Sequence, residues 1–479
     1  MAGRHKMSPH SRALQQSASY VDGRAQVYED DDELLGTEMR RKRKDSGSDG
    51  PKTGFLACVF NLANVAMGAG VLAYPYTMRN TGYISGPILA CIAASIMFYT
   101  LQTVARCADR AYELEREGRA VMNEGSYQEI VVAILGKFWG KVLTWVLLIY
   151  LTLSNVCFMT ILYDQAEPII LSQLGSNSVF NERYILVPLC GGLLCYPLAL
   201  IPNMSVFSVP STLSQVGVMF GVLLVTYYSF RDFSSNKAEP SYKAPLVQAT
   251  PEVMEYMDAF PIFAFSFQCH ITFPLIYASM KDRTFKKITA VNATTISFCL
   301  SIYLLMGISG YLLLGDATPG DILAGLCGKG DYYNPHLKEG CCVPLLNSTD
   351  LTACPETKLD VLNVIARACV FIKVVCSYAM LVFVARTCVK DLLLPQGKPF
   401  TRVQFHIETI VYVAFTIGMG IVMKSMTLPM EFAGMLVIVI DIVYPGVMQI
   451  KISKTQSGKI IGYVLVVFGV LLVIMSVVS

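Results

Sequence analysis

Apolar and polar positions alternate along this chain in long blocks, not in short amphipathic periods. From about residue 55 onward, apolar runs of roughly 20 residues recur, separated by short polar turns. A helix needs roughly 20 apolar residues to cross a bilayer. The blocks predict about eleven spans, at 55–80, 83–108, 139–163, 182–201, 207–230, 254–279, 284–315, 358–389, 402–424, 427–450 and 457–478. A helical bundle follows, because every backbone amide must find a partner in lipid. The stretch 126–136 reads as a short amphipathic helix before the third span. Residues 1–53 have no apolar run and are expected to be a disordered cytoplasmic tail. The first span then acts as the insertion signal.

Composition agrees. The 479 residues are 54% hydrophobic and only 15% charged, with a mean hydropathy of +0.50. A soluble domain carries nearer a quarter charged residues. The net charge of +3 says little about partners, and nothing points to nucleic acid. Its distribution sets the topology. Arg40 to Lys44, the loop "KDRTFKK", Lys390, Lys398 and Arg402, and Lys451, Lys454 and Lys459 fall on one side of an eleven-span chain. Under the positive-inside rule that side is the cytoplasm. The N-terminus is then cytoplasmic and the C-terminus extracellular or lumenal.

The fifteen cysteines divide in two. Most sit singly in apolar runs, as small hydrophobes. Cys327, Cys341, Cys342 and Cys354 crowd into the polar loop 317–356, on the predicted outer face, and are disulfide candidates. Zinc is the weaker reading, without CxxC or histidine spacing. The same loop carries Asn347-Ser348-Thr349, a glycosylation acceptor. In the tail, "DDDELL" places Asp30 four residues before Leu34-Leu35. It reads equally as a sorting signal for adaptor proteins of endosomal and lysosomal membranes and as an acidic stretch with chance leucines.

Two spans carry residues that break helices. In "NLANVAMGAGVLAYPY" the triplet Gly68-Ala69-Gly70 precedes a proline; in "FSFQCHITFP" Ser266, Gln268 and His270 interrupt span 6. Glycine can simply bring helices together. Two such segments five spans apart favour a transport site, with unwound backbone near the midplane. The N-terminus of a half-helix suits a carboxylate, and freed carbonyls suit a cation or an ammonium. An α-amino acid has both groups. No nucleophile, base and metal ligands cluster as in an enzyme, no cofactor is implied beyond a coupling Na+ or H+, and no charged or carbonyl-lined pore suggests a channel.

"FNLANVAMGAG", "SYQEIVVAILGK", "FSFQCH", "GYLLLGD" and the stretch from Arg367 through Cys376-Ser377-Tyr378 to Arg386 occur in order. The set resembles the sodium-coupled neutral amino acid transporters of the amino acid/auxin permease group, over roughly residues 55–450. The resemblance implies the leucine-transporter type of fold: all-α, with a 5+5 inverted repeat (about 54–231 and 254–450, within 54–479), broken helices 1 and 6, and an eleventh helix at 456–479. It implies substrate held around Gly68, Ala69 and Gly70 and by Phe265, Ser266 and Gln268. It also implies a cation site at Asn64, Met67, Cys376 and Ser377.

The sequence departs from that pattern at the cation site. Cys376 stands where threonine is usual, and a thiol is a poor ligand for sodium. Ala379 replaces a proline. Lys373 lies one turn before Ser377 in an apolar run, and a charge at midspan is a functional candidate by default. Its ammonium is expected either to occupy the sodium position, to pair with Asp441 of span 10, or to face an aqueous vestibule. His270 is a second candidate for pH sensitivity. The expectation is a neutral amino acid transporter, glutamine-like in substrate, proton-coupled or uncoupled, in a lysosome-like membrane. Sodium symport, the plasma membrane, and an amino-acid sensor signalling through the tail are the alternatives.

Overall fold

The computed structural model describes residues 53–122, 125–174, 179–201, 208–234, 253–281, 283–315, 318–326, 332–333, 342–343, 361–394 and 401–478. Cys327, Cys341, Cys354, Asn347, Asp30, Leu34 and Leu35 lie outside these residues, as does the side chain of Cys342. The compact unit is Phe55–Ser479.

All eleven predicted segments are helical. Span 1 is a pair, α1 (Phe55–Ala66) and α2 (Gly70–Thr81). Span 2 is α3 (Ser85–Arg116), followed by the short α4 (Tyr127–Leu135) and span 3, α5 (Lys137–Leu174). Span 4 is α6 (Arg183–Cys190) and α7 (Tyr196–Ala199), and span 5 is α8 (Ser208–Ser234). Span 6 is again a pair, α9 (Val253–Ser266) and α10 (Phe273–Ser279). Spans 7 to 9 are α11 (Phe285–Leu314), α12 (Val361–Leu393) and α13 (Arg402–Val422). Span 10 is α14 (Thr427–Ile438) and α15 (Tyr444–Ile452), and span 11 is α16 (Gln456–Val478). Among the described residues the strands are β1 (Tyr332–Tyr333) and β2 (Cys342–Val343), which pair antiparallel. Among the described residues, seven helices are long and apolar enough to cross a membrane, and the bent pair α1–α2 makes an eighth. Spans 4, 5 and 6 fall outside that count.

The local reasons are visible in the sequence. The α4 helix starts with a full capping box, Ser126 and Glu129 each satisfying the other's backbone amide. Span 10 is interrupted by a π turn at Val439–Val443. Pro445 has no amide to give the Asp441 carbonyl four residues back, so the ladder must slip there. The Tyr444 amide reaches Val439 O instead. This frees the Ile440 carbonyl, which accepts from Tyr127 Oη of α4 at 2.7 Å.

Packing repeats with a five-span offset. Span 3 (α5) lies against spans 8 and 10 (α12, α14), and span 8 (α12) against spans 3 and 5 (α5, α8). Moving each helix five places along the chain maps one set onto the other, the arrangement expected of an inverted repeat. The broken spans 1 and 6 sit inside this frame, with α2 packed on α9 and α11. The outer helix α16 exposes Ile460, Val464, Val467, Leu471 and Ile474. Such a stripe suits lipid, where an apolar outer face costs nothing.

Candidate functional site

The first break bends span 1 by 60° at Met67 to Ala69. Met67 and Gly68 still donate back to Ala63 O and Ala66 O, both at 2.8 Å. The second half, α2, begins at Ala69 without a side-chain cap. Its first amides therefore face the break, where the helix end carries partial positive charge. Span 6 breaks at Phe267 to Thr272, between α9 and α10.

The two breaks touch. A Cβ on Gly70 would lie 2.2 Å from Ser266 Oγ and 2.8 Å from Ser266 Cα. Only glycine permits this approach, since backbone cannot move aside as a side chain can. Gly68 is different: a Cβ there would meet nothing within 4 Å. Tyr303 of α11 fastens the crossing. Its hydroxyl faces Ala66 O at 3.0 Å and Ser266 O at 2.6 Å, the last carbonyls of α1 and α9. Its ring stacks on Tyr74 and meets Phe267 edge-on. The sequence reading missed Tyr303, because a tyrosine in an apolar span carries no signal separating packing from capping.

Lys373 is buried, 4% exposed. Its Nζ donates to both the carbonyl of Asn64, at 3.2 Å, and the Asn64 side-chain Oδ1. The ammonium thus points at span 1. The pairing with Asp441 is not what forms: Asp441 Oδ2 lies 2.8 Å from His270 Nδ1 instead, both residues fully buried. Helical phase decides between them. Lys373 shares α12 with Val370, Val374 and Ser377, and these four line one narrow cavity with Gly68, Ala69 and Phe158. The cavity measures about 10 Å³, room for about one water molecule.

Of the expected site residues, the structure brings Gly68, Ala69, Lys373 and Ser377 to this cavity. Gly70 and Ser266 form the crossing beside it. Phe265 packs near the Tyr150 ring, and Gln268 lies by Asp441. Asn64 reaches the site through Lys373. Met67 and Cys376 are buried nearby in span 1 and span 8, and neither lines the cavity.

A second polar centre lies over the site. The segment 318–326, read from sequence as the start of a loop, folds inward. Its Ile322 amide donates to Leu72 O of α2 at 3.2 Å. Arg79 of α2 reaches Thr318 O at 3.3 Å. Arg367 of α12, fully buried, donates to Asn363 Oδ1 (3.1 Å), Asp164 O (2.9 Å), Leu326 O (2.9 Å) and Leu323 O. Asp321 accepts from Gln165 of α5 at 2.5 Å and from the Leu323 amide at 3.0 Å. Burial pushes the Asp321 carboxyl up to about 6, against the pull of the Arg367 guanidinium. Spans 1, 3 and 8 are thereby tied to one short segment.

Comparison with known proteins bears on the whole chain. Residues 51–336, more than half of the sequence, match the family described as transmembrane amino acid transporter protein. The sodium-coupled neutral amino acid transporter 7 of Bos taurus is 23% identical over 445 residues, 89% of this chain and 86% of the relative. Its Homo sapiens counterpart is 24% identical over 444 residues, with the same coverage. A crystal structure of a manganese transporter from Eremococcus coleocola shares the fold, with a TM-score of 0.51 at 13% identity, covering 88% of this chain and 85% of that one. With its multi-pass helical body, its two broken helices and this match, the chain belongs to the transmembrane amino acid transporter protein family.

Proposed function

We propose that this amino acid transporter moves neutral α-amino acids by alternating access, with Lys373 as a tethered cation in place of a coupling sodium ion. The observation that carries the reading is the ammonium on Asn64. The Nζ donates to the Asn64 carbonyl and Oδ1, two oxygens of the kind a hard cation would take. Transport is then proton-coupled or uncoupled. The substrate carboxylate meets the amides at Gly68, Ala69 and Gly70, and its ammonium the carbonyls freed in span 6 near Phe265, Ser266 and Gln268. Phe158, Val218, Val370 and Val374 line the adjoining cavity. An uncharged side chain suits that lining, because an unpaired charge there would be costly.

A sodium-coupled symporter is the second reading, favoured by the names of the two mammalian relatives. In it, Asn64, Met67, Cys376 and Ser377 hold the ion and Lys373 swings away. The remaining elements are eleven spans with a cytoplasmic N-terminus and residence in a lysosomal or endosomal membrane. The run from Asp30 to Leu35 serves as the sorting signal, Asn347 as glycosylation site and Cys327, Cys341, Cys342 and Cys354 as disulfide partners. The sequence patterns above support these.

The test is uptake of a labelled amino-acid panel into proteoliposomes, with sodium and pH gradients imposed separately. Accumulation driven by a proton gradient, or downhill flux indifferent to both ions, is expected. Accumulation on a sodium gradient alone would overturn the tethered-cation reading. Saturable binding without flux would support the sensor.

A further inference from the structure

Asp441 sits in the π turn of span 10 and His270 in the break of span 6, both 0% exposed. Their side chains are 2.8 Å apart, Nδ1 to Oδ2. On its other edge, His270 Nε2 lies 2.8 Å from Thr100 Oγ1 of span 2. Thr100 Oγ1 also donates to Met97 O at 3.1 Å. A hydroxyl has one proton. With that proton given to Met97, Thr100 can only accept from His270, so Nε2 carries hydrogen. Nδ1 then faces the carboxylate at hydrogen-bonding distance, and a proton is needed between two lone pairs. It is present either as imidazolium beside carboxylate or as neutral imidazole beside carboxylic acid. Both states are net neutral.

The alternative leaves the centre with a full negative charge. Thr100 would donate to Nε2, Nδ1–H would donate to Asp441, and the carboxylate would stay uncompensated. A buried uncompensated charge costs several kcal/mol. The other groups near the carboxylate cannot make up the charge. They are Gln268 and Cys269 of the break, Tyr127 of α4, and Tyr150 of α5. Further out, Cys107 of α3 and Tyr444 of α15 face Tyr127. None is a cation at neutral pH. Among the described residues, His270 is the titratable base facing Asp441.

We infer that His270 and Asp441 together form a proton-binding site in the membrane core, separate from Lys373, that ties the break of span 6 to the π turn of span 10. The proton belongs to the pair and not to either residue. Losing it puts a bare carboxylate in the core, so occupancy falls as pH rises and the deprotonated state is held only if the break moves to admit water. The π turn is the partner that stays, fixed by Tyr127 on the Ile440 carbonyl. The break, which adjoins the substrate crossing at Ser266, is the partner that moves.

The inference does not need transport to be tested. Full-length protein in phosphatidylcholine nanodiscs is titrated while infrared difference spectra record the carboxyl stretch and imidazole ring modes. A proton-linked signal in the wild type that disappears in Asp441→Asn and changes in His270→Gln is expected. In proteoliposomes, the same Asp441→Asn change should flatten the pH dependence of uptake shown by the wild type. Spectra indistinguishable among wild type, Asp441→Asn and His270→Gln overturn the inference. Should Asp441→Asn not fold, His270→Gln and the wild-type spectra decide it alone. Absence of uptake in every sample with the infrared signal intact counts against transport and leaves the proton site standing.

Discussion

Replacing Lys373 by methionine removes the ammonium while keeping an unbranched apolar side chain one atom shorter. The bonds of the ammonium to the Asn64 carbonyl and to Asn64 Oδ1 disappear. Hydrogen bonds from a charged group contribute about 1.5–3 kcal/mol each. At the low end the pair holds span 8 against the first break by about 3 kcal/mol, a factor of about 150 in that equilibrium. Burying an ammonium costs several kcal/mol as well, so the net change in melting stability is smaller than this and can take either sign. The loss is therefore read in coupling. Lys373→Met reconstituted beside the wild type should lose any pH-gradient drive while still folding and binding substrate. Pairing Lys373→Ala with Cys376→Thr restores an oxygen ligand to a vacated cation position, and sodium should then stimulate uptake severalfold. The reasoning is refuted if accumulation driven by a pH gradient in the wild type persists unchanged in Lys373→Met, or if the unaltered protein already accumulates substrate on a sodium gradient.

The touching breaks predict a contrast between glycines. Gly70→Ala, whose Cβ would meet Ser266 backbone at 2.8 Å, should abolish uptake in proteoliposomes, whereas Gly68→Ala should fold with near-normal melting in detergent. Tyr303→Phe strips the hydroxyl from two buried helix-end carbonyls and should cost about 1–3 kcal/mol, seen as faster hydrogen exchange at Ala66 to Ala69 and Phe267 to Gln268. Arg367→Lys cannot reproduce the spread of a guanidinium over four acceptors; a drop of several degrees in melting temperature is expected. Asp321 binds protons more tightly in the folded state, about 6 against the ordinary 3.8. It therefore contributes stability that is fully present below about pH 4 and is lost as pH rises through about 6. Mild acid should tighten the segment 318–326 against labelling, and Asp321→Asn should remove that dependence.

What could be read from sequence follows from how far each residue's signal reaches. The break at Gly68 to Gly70 was legible because glycine, asparagine and proline in an apolar run act on their own backbone, within a turn. Lys373 was legible as an anomaly but not as a contact. A residue or two of helical phase, about 100° each, separates a side chain facing span 1 from one facing span 10, and residue counting cannot fix that angle; the cavity shared with Val370, Val374 and Ser377 does. For the same reason a pair between Lys373 and Asp441 is only one of three alternatives at the level of sequence. The neighbour of Asp441, His270, lies in a break whose geometry depends on span 2 and on the π turn, and the π turn depends on Pro445. Tyr303 and the inward fold of 318–326 left no trace at all. The first looks like any buried aromatic. The second lies at the start of a long polar loop, with Ile322, Leu323 and Leu326 too closely spaced to announce a buried element. Yet these two carry the long-range ties: Tyr303 joins the halves of the site, and Arg367 and Asp321 join its roof. Local breaking of helices is written in single residues, whereas the holding of the broken ends in place is written in pairs hundreds of positions apart. One sequence therefore discloses where such helices break before it discloses what holds the broken ends together.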